Sequence, residues 1–66
     1  MPRQIPDEQI FAAALDIVAA RGIAGATTKQ IAAAAEINEV TLFRRFGSKA
    51  KLLEAALSAE VDRFDA

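Results

Sequence analysis

The feature that most constrains this chain is a pair of short helical patterns that lie almost end to end. The first, over residues 28–35, follows a capping box in which Thr27 caps the helix and Gln30 reaches back to it. The second, over residues 39–46, follows Asn38, which is a good N-cap. Only three residues connect the two patterns. The chain must therefore turn sharply between two helices of about two turns each.

Longer helical patterns precede and follow this pair. Helix 1 is predicted over residues 7–21, with Asp7 as its cap and Gly22 as the residue that ends it. Helix 4 is predicted over residues 49–64, with Ser48 as its cap. The sequence therefore predicts four helices and no strand.

The predicted core consists of apolar side chains that recur three or four residues apart. Helix 3 is expected to be anchored by Leu42 and Phe46, with Ile37 packing as a hydrophobic staple. Alanine contributes much of the 53% hydrophobic share, so we expect close helix packing around a few large side chains, with the four phenylalanines as candidates. The connection after helix 1 is expected to turn Ile23 inward. The expected core residues are Phe11, Leu15, Val18, Ile31, Leu42 and Phe46.

Length and composition exclude several classes of function. Sixty-six residues form one small domain, with little room for an enclosed catalytic pocket. The chain has no histidine and no cysteine, so common general bases, nucleophiles and metal ligands are missing. It also lacks an apolar run of roughly 18 residues and the apolar stretch of a signal peptide. We expect a cytoplasmic domain that is not an enzyme, needs no cofactor or metal and does not bind a membrane.

Charge is unevenly distributed along the chain, although the net charge is -1. Residues 27–51 hold five cations and two carboxylates and so have a net charge of +3, whereas the segments before and after them have -1 and -3. Arg44 and Arg45 fall on the side of helix 3 away from its apolar edge. Helix N-termini nearby also attract anions. This distribution predicts one anion-binding surface.

Two short helices joined by three residues match the helix-turn-helix, whose second helix enters the major groove of DNA. The predicted fold class is therefore all-α: a small, homeodomain-like bundle of three helices with the helix-turn-helix in helices 2 and 3, plus a fourth linker helix. In this arrangement the cations would contact the backbone of double-stranded DNA, and helix 3 would read base edges.

The ordered motifs resemble the N-terminal DNA-binding domain of the TetR family of bacterial transcription regulators. The residues that match are Gly22, TTKQIA (27–32), AEIN (35–38), TLFRRF (41–46) and SK (48–49). The resemblance implies a sequence-specific regulator, expected to be a repressor, that binds half of a palindromic operator. It also implies a homodimer formed through a C-terminal domain that binds a small molecule. Because residues 1–66 could not form that domain, we expect the chain to be a fragment that lacks it.

The resemblance implies DNA contacts by nine side chains on helices 2, 3 and 4. Those that would meet the DNA backbone or the groove edge from helix 2 are Thr28 and Lys29. Those at or near base edges are Glu39, Val40, Thr41 and Arg44. Those at positions that usually meet phosphates are Phe43, Arg45 and Lys49.

Three residues depart from the family pattern. Glu36 stands where glycine is usual in the turn, and we expect local strain or a changed angle there. Phe43 replaces the usual tyrosine, so a hydroxyl contact with phosphate is lost. Arg45 replaces the usual histidine and restores a fixed cation nearby.

Simpler interpretations also fit these residues. Arg44 and Arg45 could form an ordinary solvated face, and Phe43 could belong to the core, the groove surface or both. Val40 fits either a thymine methyl contact or an exposed helix position. Glu39 could accept from a cytosine amine or could only favour the helix N-terminus. The alternative for the whole chain is a helical interaction module that binds a partner protein through the helix 4 stripe Leu53, Leu57, Val61 and Phe64.

Overall fold

The computed structural model describes residues 6–65, and the side chains of residues 6–62. This part of the chain contains no strand, and its helices are α1 (Asp7–Gly25), α2 (Thr28–Ala35), α3 (Glu39–Phe46) and α4 (Lys49–Asp65). The predicted all-α class is confirmed. The bounds of α2 and α3 coincide with those expected from their caps. The side chain of Phe64, the last member of the helix 4 stripe, lies outside the described residues.

The start of α1 at Asp7 is as predicted, but its cap and its C-terminal end differ from the prediction. Pro6 is the N-cap, with extended backbone angles, and its carbonyl oxygen accepts from the amide of Gln9 at 3.1 Å. Asp7 is instead the first helical residue, where its negative charge interacts favourably with the positive end of the helix dipole. Gly22 interrupts the helix with a φ of 77°, and the chain then makes one further turn to Gly25. The helix is thus interrupted at Gly22, where the sequence predicted its end, although α1 as a whole ends at Gly25.

The core lies where α1 packs against α2 and α4, and α3 closes it from one side. Its largest fully buried side chains are Ile10, Ile31, Leu42 and Leu52. Buried alanines of α1 and α2 fill the space between them. The expectation for Ile23 is wrong: this side chain is 62% exposed, because α1 continues past Gly22 and the chain turns inward only at Ala26.

The phenylalanines do not form the centre of the core. Phe11 and Phe46 are partly buried, and their rings pack at its edge with centroids 5.6 Å apart. Leu15 is also half-buried, and Val18 packs against the core from outside. Alanine lets the helices approach closely, so branched aliphatic side chains fill the centre and the larger rings cover its rim.

The turn between α2 and α3 is a Schellman motif without glycine. The amide of Ile37 donates to the carbonyl of Ala32 at 2.9 Å, and the amide of Glu36 donates to that of Ala33 at 3.2 Å. Glu36 has left-handed backbone angles, φ 62° and ψ 40°. These angles are unfavourable for a residue with a side chain, so the structure contains the local strain expected where glutamate replaces the usual glycine. The side-chain amide of Gln9 also donates to the carbonyl of Ala35 at 3.1 Å, which ties the end of α2 to α1.

Glu36→Gly is expected to stabilise the chain by about 0.5–1 kcal/mol, because glycine adopts left-handed angles without the steric cost of a side chain. Urea denaturation followed by helical circular dichroism measures the change. The matched control is Ala34→Gly, at an exposed position inside α2, which should destabilise by up to about 1 kcal/mol. A loss of stability in both variants would contradict the strain at Glu36.

Local signals position α3. Asn38 caps it by accepting from the amide of Val40 at 2.7 Å. Leu42 is 2% exposed, and Phe46 and Ile37 pack against the core beside it. Gly47 ends the helix with a φ of 91° and donates to the carbonyl of Phe43 at 2.8 Å. The core therefore holds α3 by one edge, and its other side faces solvent.

Candidate nucleic-acid interface

The solvent side of α3 is built by helical periodicity. Residues rotate by about 100° each around a helix, so Val40 and Arg44 point most directly away from the anchoring Leu42. Val40 is 57% exposed, and Arg44 is also exposed. Phe43 is 44% exposed, which does not fit burial in the core. Together with the exposed Thr41, these residues form an outward face with apolar, hydroxyl and cationic groups.

The N-termini of α2 and α3 meet at one hydrogen bond. Thr28 is the first residue of α2 and Glu39 is the first residue of α3. Thr28 Oγ1 donates to Glu39 Oε2 at 2.7 Å, and both residues are half-buried. The carboxylate therefore lies where two helix dipoles present their positive ends. Lys29, the next residue of α2, is exposed.

Lys49 begins α4 and ties this helix to the connection between α1 and α2. Its Nζ donates to the carbonyl oxygens of Ile23 and Ala26, each at 3.0 Å. The amide of Lys51 donates to Ser48 Oγ at 3.2 Å, as expected from a Ser48 cap. An ammonium group has three donors, so two of those of Lys49 satisfy carbonyl groups of the fold and one is left for an external anion.

Lys49→Met is expected to destabilise the chain by about 1 kcal/mol, because methionine keeps most of the aliphatic stem but loses two charge-assisted hydrogen bonds. Their net contribution is small because one bond is exposed to water and the other is only partly buried. In a domain of this size the melting temperature should fall by roughly 4–8 °C. Lys51→Met makes the same charge change at an exposed position and should leave the melting temperature nearly unchanged. Equal melting temperatures for the two variants would contradict a structural role for the Lys49 ammonium.

Arg45 lies nearer the anchored edge of α3 than Arg44 does. Its Nη2 forms an ion pair with Asp7 Oδ1 at the start of α1, and about a third of its side chain, 33%, is exposed. Both arginines occupy the last turn of α3, where cations are favoured by the helix dipole. The ion pair brings an acidic group of α1 to the cationic end of α3.

The structure places four of the nine predicted residues on one outward face, four at three contact points, and Lys29 exposed on α2. Val40, Thr41, Phe43 and Arg44 form the face. Thr28 and Glu39 bond to each other, whereas Arg45 and Lys49 bond to other parts of the fold. Sequence reasoning missed Asp7 and Gln9 as partners of the helix-turn-helix. Their position at the start of α1 offers no local signal for contacts 38 and 26 residues away.

A model of the bacterial regulatory proteins of the tetR family matches residues 10–56. The chain belongs to the TetR family. The match extends from Ile10 in α1 to Ala56 in α4 and contains the whole helix-turn-helix. It confirms the family predicted from the sequence. TetR-family regulators are DNA-binding transcription regulators, not enzymes.

A curated relative agrees with the family assignment. The chain is 40% identical over 52 residues to the uncharacterized HTH-type transcriptional regulator YvkB of Bacillus subtilis (strain 168). The match covers 79% of this chain but only 28% of the relative, so the TetR-family chain spans little more than a quarter of that protein. No solved structure matches the chain.

Two other kinds of site are a membrane-spanning helix and a metal centre. None of the helices in residues 6–65 combines the length and the apolar character needed to cross a bilayer. No group of three or more carboxylates in the same part of the chain is placed to hold a metal ion.

Proposed function

We propose that this chain binds double-stranded DNA with sequence specificity and that α3 enters the major groove. The observation that carries the proposal is the orientation of α3: Leu42 is buried, whereas the opposite side presents Val40 and Arg44 to solvent. The major groove admits an α-helix, and its base edges are read by side chains of this kind. The base contacts proposed are those of Glu39, Val40, Thr41 and Arg44.

Backbone contacts would surround this helix. Lys29 and Arg45 supply cations from α2 and α3, and Lys49 has one ammonium donor left after its two bonds to carbonyl groups. Thr28 stands at the N-terminus of α2, where backbone amides attract phosphate. The exposed ring edge of Phe43 would pack against the sugar-phosphate chain without a hydroxyl hydrogen bond. Such contacts would supply most of the affinity and little sequence preference.

The family resemblance supports a wider proposal for the whole protein. It would act in the cytoplasm as a repressor, and two copies would bind the halves of a palindromic operator. The homodimer would form through a C-terminal domain that also binds a small molecule. A single DNA-binding domain lacks the effective concentration that a second half-site provides, so we expect weak and salt-sensitive binding by this chain alone.

A second candidate function is supported by α4. Leu57 and Val61 are exposed on this helix, although Leu53 is buried. An exposed apolar stripe at helical spacing can bind a partner protein. This alternative predicts that the binding surface lies on α4 and not on α2 and α3.

Titration of the isotope-labelled chain with a short DNA duplex, followed by heteronuclear NMR, tests the proposal. Chemical-shift changes concentrated at residues 27–29 and 38–49, and reversed by added salt, are the expected result. If DNA leaves these residues unperturbed while an added protein partner shifts residues 52–62, the interaction module would replace the DNA-binding proposal.

A further inference from the structure

The bond between Thr28 and Glu39 joins a hydroxyl of α2 to the first side chain of α3. In a helix-turn-helix the N-terminal residues of the second helix contact base edges. Glu39 therefore stands where a side chain can read a base, yet it carries the charge that phosphates repel. Its negative charge cannot serve backbone binding, which needs cations.

The chemistry of a carboxylate restricts the base that it can read. An ionised carboxylate only accepts hydrogen bonds, and one of its oxygens already accepts from Thr28. In the major groove guanine and thymine present acceptor oxygens, whereas adenine presents an acceptor nitrogen beside its amine. Cytosine presents the N4 amine alone as its polar group. We propose that Glu39 selects cytosine at one operator position and that Thr28 is the positioning residue that orients its carboxylate.

Thr28 suits this role because it has one hydroxyl proton and gives it to Glu39 at 2.7 Å. The bond fixes the carboxylate before DNA arrives, which lowers the ordering cost of binding. Both residues are half-buried, so neighbouring atoms restrict their rotation further. The Thr28 hydroxyl therefore contributes to base selection through Glu39. This inference rests on the proposed DNA binding and specifies the base that one of its contacts would read.

The experiment begins with selection of duplexes from a library with a randomised core, using the whole 66-residue chain. Each position of the selected site is then changed to all four bases, and affinities are measured by fluorescence anisotropy. We expect one position where the chain prefers cytosine over each of the other three bases, by about tenfold over guanine and thymine. Glu39→Gln should move the preference at that position to adenine, whose N6 and N7 pair with a side-chain amide, and leave other positions unchanged.

Variants of Thr28 test the positioning role. Thr28→Val keeps the shape but removes the hydroxyl, and it should reduce the cytosine preference several-fold, whereas Thr28→Ser should restore it. In the Glu39→Ala background, where residue 39 has no acceptor for the Thr28 hydroxyl, Thr28→Val should leave the base preference at this position unchanged. A role limited to folding would lower the melting temperature of the Val variant without changing its base preference.

The outcomes separate the two proposals. Failure of the chain to select or bind any duplex would overturn the proposed function together with this inference. Binding in which Glu39→Gln selects the same bases as the unchanged chain would overturn the inference and leave DNA binding in place. If only the Glu39 variant changed the preference, the positioning role of Thr28 would be wrong.

Discussion

The Leu42→Ala chain is expected to lose a large part of the stability of the fold. Leu42 is 2% exposed and belongs to the single core cluster of the described residues. Truncation of a buried leucine costs about 2–5 kcal/mol, because it removes apolar contacts and leaves a cavity. A domain of this length has a total stability of roughly 3–10 kcal/mol. The variant should therefore lose most of its helical circular dichroism at low urea concentrations and lose DNA binding with it.

Val40→Ala is the matched control on the same helix. Val40 is exposed two residues earlier, so its truncation should change stability by no more than about 0.5 kcal/mol. Leu42→Met keeps the volume of the side chain and should cost less than about 1.5 kcal/mol. If Leu42→Ala were as stable as Val40→Ala, the claim that the core anchors α3 by this residue would be wrong.

Arg45→Ala is expected to weaken DNA binding about tenfold for every duplex sequence. The change removes a cation proposed to contact phosphate, and one charge-assisted hydrogen bond of about 1.4 kcal/mol corresponds to tenfold in affinity. The slope of affinity against salt concentration should become shallower by roughly one unit. The fold should persist, because an exposed ion pair such as that with Asp7 contributes about 0–1 kcal/mol. Anisotropy titrations over a range of salt concentrations measure both effects.

Two control variants separate a direct phosphate contact from a general effect of charge. Asp7→Asn removes the carboxylate that competes with phosphate for Arg45, so it should strengthen DNA binding. Lys51→Ala changes the net charge as Arg45→Ala does, but at an exposed position on α4 outside the proposed interface. If Lys51→Ala weakened binding as much as Arg45→Ala, net charge and not the position of Arg45 would explain the loss.

Most helix ends could be predicted because their signals lie within a few residues of them. Thr27 with Gln30 and Asn38 with Val40 form caps over two or three residues, and the structure contains both. The N-cap of α1 was not predicted correctly, because Pro6 already provides the extended cap position and leaves Asp7 inside the helix. The pattern of apolar residues identified Ile31 and Leu42 as central side chains, but not Ile10 and Leu52.

The candidate interface could be predicted as a face but not as a set of contacts. Periodicity around Leu42 indicates which side chains of α3 are exposed. The partners of Arg45 and Lys49 lie 38 residues and 23–26 residues away in sequence, so only the packing of α1 against the other helices brings them together. For the bond between Thr28 and Glu39, the sequence offers only a weak signal. Each residue is the first of a helix, and the two helices are joined by one tight turn.

The buried alanines indicate how this chain can vary through evolution. Ala14 and Ala35 are fully buried, and a larger side chain at either position would force packed helices apart. The smallest side chains of the scaffold are therefore as restricted as its isoleucines and leucines. Tolerance for substitution is concentrated on the outward face of α3, which makes few contacts with the rest of the fold. A lineage built on this scaffold could acquire new operator preferences by changing that face alone, while its interior stayed the same.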